Sequence, residues 1–316
     1  MISINNFNRK INEEALILLY HGVTDYDNYG LVNSSGKHIN HKEFEKQMEY
    51  IANRTNIISL DEFLEIKSNS KPLPPKTTIV TFDDGFKNNL TVAAPILEKY
   101  QIKTTFYISA GIINENKMFW VDIIEDCILR SKKKVITLKN FSNNFADIEI
   151  ADGQKKIIAI NKVKSFAKSL RVKKKNILIE NLIEATNIQP SSKEAKEYEV
   201  MTWNDIRELN SNPLFSIGGH SMYHDILTSL SKKDMERDVV NCQNLLTNKL
   251  GQEIRHFSYP EGKSSDYDDN LIEVLRKIGV KCSPTAELGL NSKDLDPFKL
   301  KRVMVGMMDI KFPFSL

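Results

Sequence analysis

The chain has little cysteine: Cys127, Cys242 and Cys282 are its only three in 316 residues, and they lie far apart. No paired-cysteine spacing is present, which excludes both a disulfide framework and a cysteine-held zinc site. They read as reduced, buried thiols of a cytosolic protein. No apolar run approaches the roughly 18 residues of a membrane span, so no transmembrane segment is expected. The stretch Met1–Lys10 has no apolar core of signal-peptide length. A cytoplasmic location is therefore expected, although a chain whose signal peptide had been removed would read the same. Charge of one sign is also lacking. The net charge is +3, which gives no general case for binding nucleic acid. There is no internal repeat or low-complexity tract, and Lys71–Lys76 reads as a stiff loop.

Apolar residues make up 41% and charged residues 27%, enough for a soluble chain with a sizeable core. Strand-like runs cover Leu16–Tyr20, Thr78–Phe82, Thr104–Ser109, Phe215–Gly218, Ile254–Tyr259 and Val280–Ser283. Helix signals lie between them. Asn40 and Ser231 look like N-caps, and Gly251 and Gly279 look like left-handed C-caps. Such alternation favours a parallel sheet or an α/β barrel. His21, Asp83-Asp84, His220 and Pro260-Glu261-Gly262 each follow a strand-like run. In a barrel, such positions gather at one carboxyl-end face.

The stretch 118–200 breaks this rhythm and reads as a mostly helical, Lys-rich insertion within a single domain spanning 1–316. From Arg130 to Lys175 there are 14 Lys+Arg against 3 Asp+Glu, so this stretch carries +11 and the remainder −8. A basic surface facing an anionic substrate or lipid headgroups is one reading; a solvated helical face is the other.

Two adjacent carboxylates at a strand end, Asp83 and Asp84, tolerate each other when a cation separates their charges. His220 and His224, four apart, would share a face if that stretch were helical. Asp-Gly is a common turn pair, and His pairs also mark surface helices. Together, however, the residues supply a metal-water hydrolase: three ligands, an open position and a spare carboxylate as base.

These motifs resemble the polysaccharide deacetylase family, carbohydrate esterase family 4. Thr81-Phe82-Asp83-Asp84-Gly85 matches its first motif, His220-Ser221-Met222-Tyr223-His224 its second, and Phe257–Gly262 its third. The resemblance implies a distorted (β/α) barrel with fewer than eight regular strands. It implies that Asp84, His220 and His224 hold one divalent metal, with Asp83 as general base. Zinc suits two imidazoles and a carboxylate, while cobalt, nickel and iron(II) are also compatible. The family's acid histidine has no match near the carboxyl end, where His256 is the last. His21 resembles the first-strand acid of the circularly permuted branch that includes poly-N-acetylglucosamine deacetylases.

Two departures stand out. Ser258 occupies the place of an arginine that orients the base, leaving Arg255 as a candidate substitute, and Glu261 replaces a common tyrosine. A backbone N–H near Glu261 would meet the oxyanion. Tyr259, Pro260, Gly262, Tyr223 and Trp120 would complete the pocket; Phe119, Trp120 and Trp203 are candidates to stack on a sugar and equally to pack in the core. Met304, Met307 and Met308 read as core fillers. The implied activity is removal of the N-acetyl group from an amino sugar in a cell-surface glycan or its lipid- or nucleotide-linked precursor. Peripheral membrane contact would fit such a carrier, and the sequence leaves oligomeric state open. A deformylase or other amide hydrolase on the same fold, and an inactive carbohydrate-binding protein, are the alternatives.

Overall fold

In a computed structural model of the chain, the described residues are 14–26, 30–139, 141, 145, 147–194 and 196–306. Met307 and Met308 lie outside them. Strands β1 (Leu16–Tyr20), β4 (Asn56–Ile57), β5 (Thr77–Phe82), β6 (Thr104–Ile108), β9 (Phe215–Gly219) and β10 (Val303–Met304) form one parallel sheet. Its order is β10-β1-β5-β6-β9, with β4 paired to β5. Strands β1, β5 and β6 are buried at every position. That explains their unbroken apolar runs, because both faces are covered. Alternate residues divide the work. Leu16, Leu18, Tyr20, Phe82 and Phe106 belong to the main apolar cluster with Phe44, Met48 and Leu97, whereas Ile17, Ile79 and Tyr107 join Leu60 and Phe63 in a separate one. In register, Tyr20 stacks on Phe82 at 5.3 Å and Phe82 on Phe106 at 5.2 Å.

The expected strands Ile254–Tyr259 and Val280–Ser283 are not ladders. Isolated parallel bridges Gly219↔Phe257, His256↔Cys282 and Pro284↔Leu300 instead carry the wall from β9 round to the segment of β10. Pro260 and Pro284 lack the N–H that would extend these bridges. The short β2 (Gly22–Thr24) and β3 (His38–Asn40) pair beside this wall. Among the flanking helices are α1 (His41–Arg54), α2 (Leu60–Ser68), α3 (Ala94–Lys99) and α4 (Ala110–Glu115). The expected caps are present: Asn40 accepts from the Lys42 N–H, Ser231 from the Asp234 N–H, and Gly251 is left-handed at φ 68°.

Helices α5 (Trp120–Arg130), α6 (Gly153–Ser169) and α7 (Val172–Thr186), with the small pair β7 (Val135–Ile136) and β8 (Ile148–Glu149), occupy the Lys-rich stretch. They bury an apolar cluster of their own, including Ile124, Ile128, Ile160, Val163, Leu178 and Leu182. The chain then returns through α8 (Trp203–Ser211), β9, α9 (Lys232–Leu250) and α10 (Asp269–Lys277). All three cysteines are buried and free. No described helix is long and apolar enough to cross a membrane.

Candidate active site

The strand register brings the polar residues together. Tyr20 pairs with Phe82, so His21 and Asp83 leave neighbouring strand ends. Ile108 pairs with Gly219, which places His220 at the next stave but one, and Gly219 bridges to Phe257 beside Ser258. Asp84 and Gly85 both have positive φ, 80° and 93°, and form a tight turn that aims the second carboxylate inward. A side chain at Gly85 would be strained by this backbone and would sit 3.1 Å from Ile108.

Asp84 Oδ1 lies 3.5 Å from His220 Nε2 and 3.4 Å from His224 Nε2. One ligand atom from each of these three buried residues falls within 4.8 Å of the other two. Asp84 Oδ1 has no hydrogen-bond partner despite its burial, a costly arrangement that a cation would relieve. His220 Nδ1 meets the Ser258 carbonyl at 2.8 Å. Donation there leaves Nε2 free as a ligand, the usual outer support of a metal-bound imidazole. The donor set thus fits a divalent ion with N/O preference.

The expected helical turn at His220–His224 is absent. This stretch is a loop, with Ser221 at φ 62° and His224 at φ 55°. The Ser221 hydroxyl accepts from the His224 N–H at 2.9 Å, and Trp120 Nε1 donates to the His224 carbonyl at 3.2 Å. The loop curls both imidazoles onto one point without helical periodicity.

Asp83 is held differently. Arg302 donates to both its oxygens, at 2.8 Å each, and the Ser258 hydroxyl donates at 3.2 Å. Arg302 also reaches Ser258 Oγ at 2.9 Å and the Thr285 carbonyl at 2.6 Å. Burial pushes the Asp83 carboxyl up, but Arg302 and His220 more than offset this and hold it below the ordinary range. Arg302, one of the largest fully buried side chains, thus makes the arginine contact to Asp83 that Ser258 cannot make. Arg255 is exposed and pairs with Glu253 instead.

Burial likewise raises Asp84, and its contacts with His220 and His224 overcome that to keep it ionised. His224 is pushed down to about 4 by burial, so it is neutral and ready to ligate. For His220, burial lowers the pKa, but Asp83 and Asp84 overcome it and raise the group above its ordinary value. Without metal, His220 therefore holds its proton to higher pH than an ordinary imidazole does, and a metal would have to displace it. Metal affinity should fall by about tenfold per pH unit below that pKa. A zinc titration between pH 7.5 and 5.5 checks this; an unchanged affinity would contradict it.

A cavity of about 240 Å³ opens over these groups, lined by His21, Asp83, Asp84, His220, His224, Tyr259 and Glu261. Residues of the Lys-rich stretch line it too, among them Asn161, Lys164 and Lys168. His21 is at its wall with Nδ1 unpartnered. Burial lowers the His21 pKa, and Asp84 and Asp83 act against this. Glu261 adopts φ 60° and pairs with Lys168 at 2.6 Å. Burial raises Glu261, but Lys168 and His224 hold it below the ordinary range. Gly262 follows at φ 66°, where an added Cβ would lie 2.7 Å from the Ala286 nitrogen.

Other expected pocket residues are placed differently. Pro260 and Gly262 shape the loop but do not line the cavity. Trp120 does not line it either: Lys175 covers its ring at 4.8 Å, and its N–H donates to the His224 carbonyl. Phe119 packs edge-on against His224 at 5.6 Å. Trp203 bonds Asn114 under Lys249. Tyr223 is 38% exposed, with its hydroxyl on Glu115, and faces a separate groove. The Tyr259 hydroxyl donates to the Phe298 carbonyl at 3.0 Å, leaving the ring as wall. Met304, expected in the core, lines the cavity.

Comparison with known proteins agrees with this geometry. A 129-residue stretch is 30% identical to the poly-beta-1,6-N-acetyl-D-glucosamine N-deacetylase of Staphylococcus aureus, covering 38% of this chain and 44% of that relative. The chain thus matches less than half the length of that protein. The fold is similar to the Streptococcus pyogenes deacetylase PplD in complex with acetate, with TM-score 0.61, 16% identity, and coverage of 95% of this chain and 96% of that one. It is also similar to IcaB from Ammonifex degensii, with TM-score 0.60, 18% identity, and coverage of 96% and 95%. The polysaccharide deacetylase family profile matches residues 70–283. With the matched region carrying all three motifs, the chain belongs to the polysaccharide deacetylase family.

Proposed function

We propose that this protein is a metal-dependent hydrolase that removes the acetyl group from an N-acetylated amino sugar of a cell-surface glycan or of its carrier-linked precursor in the cytoplasm. One observation carries the reading: Asp84, His220 and His224 converge on a single point while Asp83 is held apart by Arg302. The first three residues would hold the ion, and zinc is the best fit to two imidazoles and one carboxylate. When bound, it would lower the pKa of water and polarise the acyl carbonyl.

The chain's own residues supply the remainder. Asp83, kept ionised by Arg302, takes a proton from the attacking water. Its two oxygens are anchored by a bidentate guanidinium, so its lone pairs face the cavity in a fixed direction. His21, which lines the same cavity, gives a proton to the leaving amine. The backbone N–H near Glu261 accommodates the charge that develops on the acyl oxygen. The S. aureus relative acts on poly-beta-1,6-N-acetyl-D-glucosamine, as its name states, which supports an N-acetylglucosamine-type substrate here.

The experiment is a release assay on N-acetylated and N-formylated amino-sugar oligomers with zinc present. Acetate release at least about tenfold faster than formate release supports the reading. Faster formate release would favour a deformylase, and saturable binding with neither product would favour a carbohydrate-binding role.

A further inference from the structure

Helix α6 has two faces with different destinations. Ala159, Ile160, Val163 and Ala167 are buried in the insertion's own apolar cluster. Asn161, Lys164, Ser165 and Lys168 fall at i, i+3, i+4 and i+7, and all four line the catalytic cavity. That spacing is one helical stripe. The helix is fixed on both sides of this stripe. Lys164 pairs with Glu125 of α5, a carboxylate that also accepts from the Tyr198 hydroxyl at 3.0 Å. Lys168 reaches across the cavity to Glu261 at 2.6 Å, tying the helix to the loop of the third motif.

The consequence is a covered site. Asp83, Asp84, His220 and His224 are at most 9% exposed. The cavity, about 240 Å³, falls below the ~300 to 1,000 Å³ of ordinary ligand pockets. An internal unit of a long glycan needs a cleft open on two sides, so that both neighbouring sugars can leave it. Here one side is spanned by the Lys168–Glu261 pair. The polar stripe offers an amide, a hydroxyl and ammonium groups to the hydroxyls of one sugar ring.

We propose that the insertion roofs the active site and restricts it to the terminal N-acetylamino sugar of a glycan, with Lys168 as the specificity-determining residue. This inference rests on the deacetylase reading and narrows its substrate class. It gives the Lys-rich stretch a role inside the site that its net charge alone did not reveal.

The test uses a length series of N-acetylglucosamine oligomers labelled at one end. After partial reaction, mass spectrometry maps which sugars have lost acetate. The expected result is loss at one terminal sugar only. Lys168→Met should admit internal sugars and raise their share of the product by at least about tenfold. Loss spread along the chain in the native protein, or an unchanged terminal pattern in Lys168→Met, would overturn the roof. A second measurement does not depend on turnover: binding of the same series to the zinc-loaded Asp83→Asn protein. Affinity should level off by the second sugar, with later units changing Kd by less than about twofold. Affinity that climbs with every added unit would overturn the proposal. Absence of acetate release would count against the deacetylase reading, while the length dependence of binding would still decide the roof.

Discussion

Replacing Asp83 with Asn is expected to lower kcat by about 10²–10⁴, the usual contribution of a positioned general base, while the metal stays bound. The separation of roles follows from the contacts. Asp83 gives both oxygens to Arg302 and one to Ser258. Asp84, its neighbour in sequence, faces the two imidazoles instead. Asn at position 83 keeps the shape and one acceptor but neither the negative charge nor the basicity. It also leaves the Arg302 charge poorly matched, so a modest loss of stability is expected alongside the kinetic effect. Steady-state kinetics and metal content measured on one preparation check this. Turnover within a few-fold of the native value would remove Asp83 from the base role, and loss of metal would make it a ligand.

Replacing Arg302 with Met should be the most destabilising single change at the site. Asp83 and Arg302 are among the most deeply buried charged residues, at 3% and 1% exposure. Removing one partner of a buried ion pair costs about 3–5 kcal/mol, because the other charge is left without compensation. Asp83 would respond by binding a proton at higher pH. Its folded pKa is now below the unfolded value, so the pair's stabilisation is present above the unfolded pKa and fades as pH falls through the folded one. In Arg302→Met that contribution is lost at neutral pH, and the acid limb of the rate profile should move upward. Arg302→Lys retains the charge but not the fork that reaches Asp83, Ser258 and Thr285 together, so an intermediate effect is expected. Thermal unfolding and a kcat/KM profile between pH 5 and 8 provide the readings. A melting temperature and acid limb both unchanged in Arg302→Met would show that the pair neither stabilises the fold nor tunes the base.

The contrast between Asp83 and Arg302 shows what the sequence could reveal. Asp83 and Asp84 follow a long apolar strand, and His220 and His224 follow two glycines, so local pattern alone placed them at strand ends. His21 was legible for the same reason. Arg302 was not. It comes 219 residues after Asp83 and stands beside a two-residue strand, too short to register as a periodic signal. A single arginine in Leu300-Lys301-Arg302-Val303 looks like any surface cation until the fold buries it against Asp83.

The His220–His224 loop teaches a related point. A spacing of four suggested a helix, but the same convergence is reached by a loop with two non-glycine residues at positive φ. Its strain is held by Ser221, Trp120 and the Met222 N–H donated to Asp238 at 3.0 Å. Trp120, open in sequence between sugar stacking and core packing, is buried, and nothing in the sequence tells that Lys175 covers it. The role of the insertion's lysines was hidden by their charge: Lys164, paired with Glu125 inside the insertion, and Lys168, paired with Glu261 at the cavity, look in sequence like lysines facing water. Ile254–Tyr259 and Val280–Ser283 were expected as full strands, yet only isolated bridges stand there, and Pro260 and Pro284 lack the N–H that would extend them.

The central claim is that acetate release depends on an ion held by Asp84, His220 and His224. The most direct measurement is acetate release by chelator-treated protein as zinc is added back. The account predicts negligible release without metal and a rise that saturates at about one ion per chain. Full release by the metal-free protein, unaffected by added zinc, would contradict it.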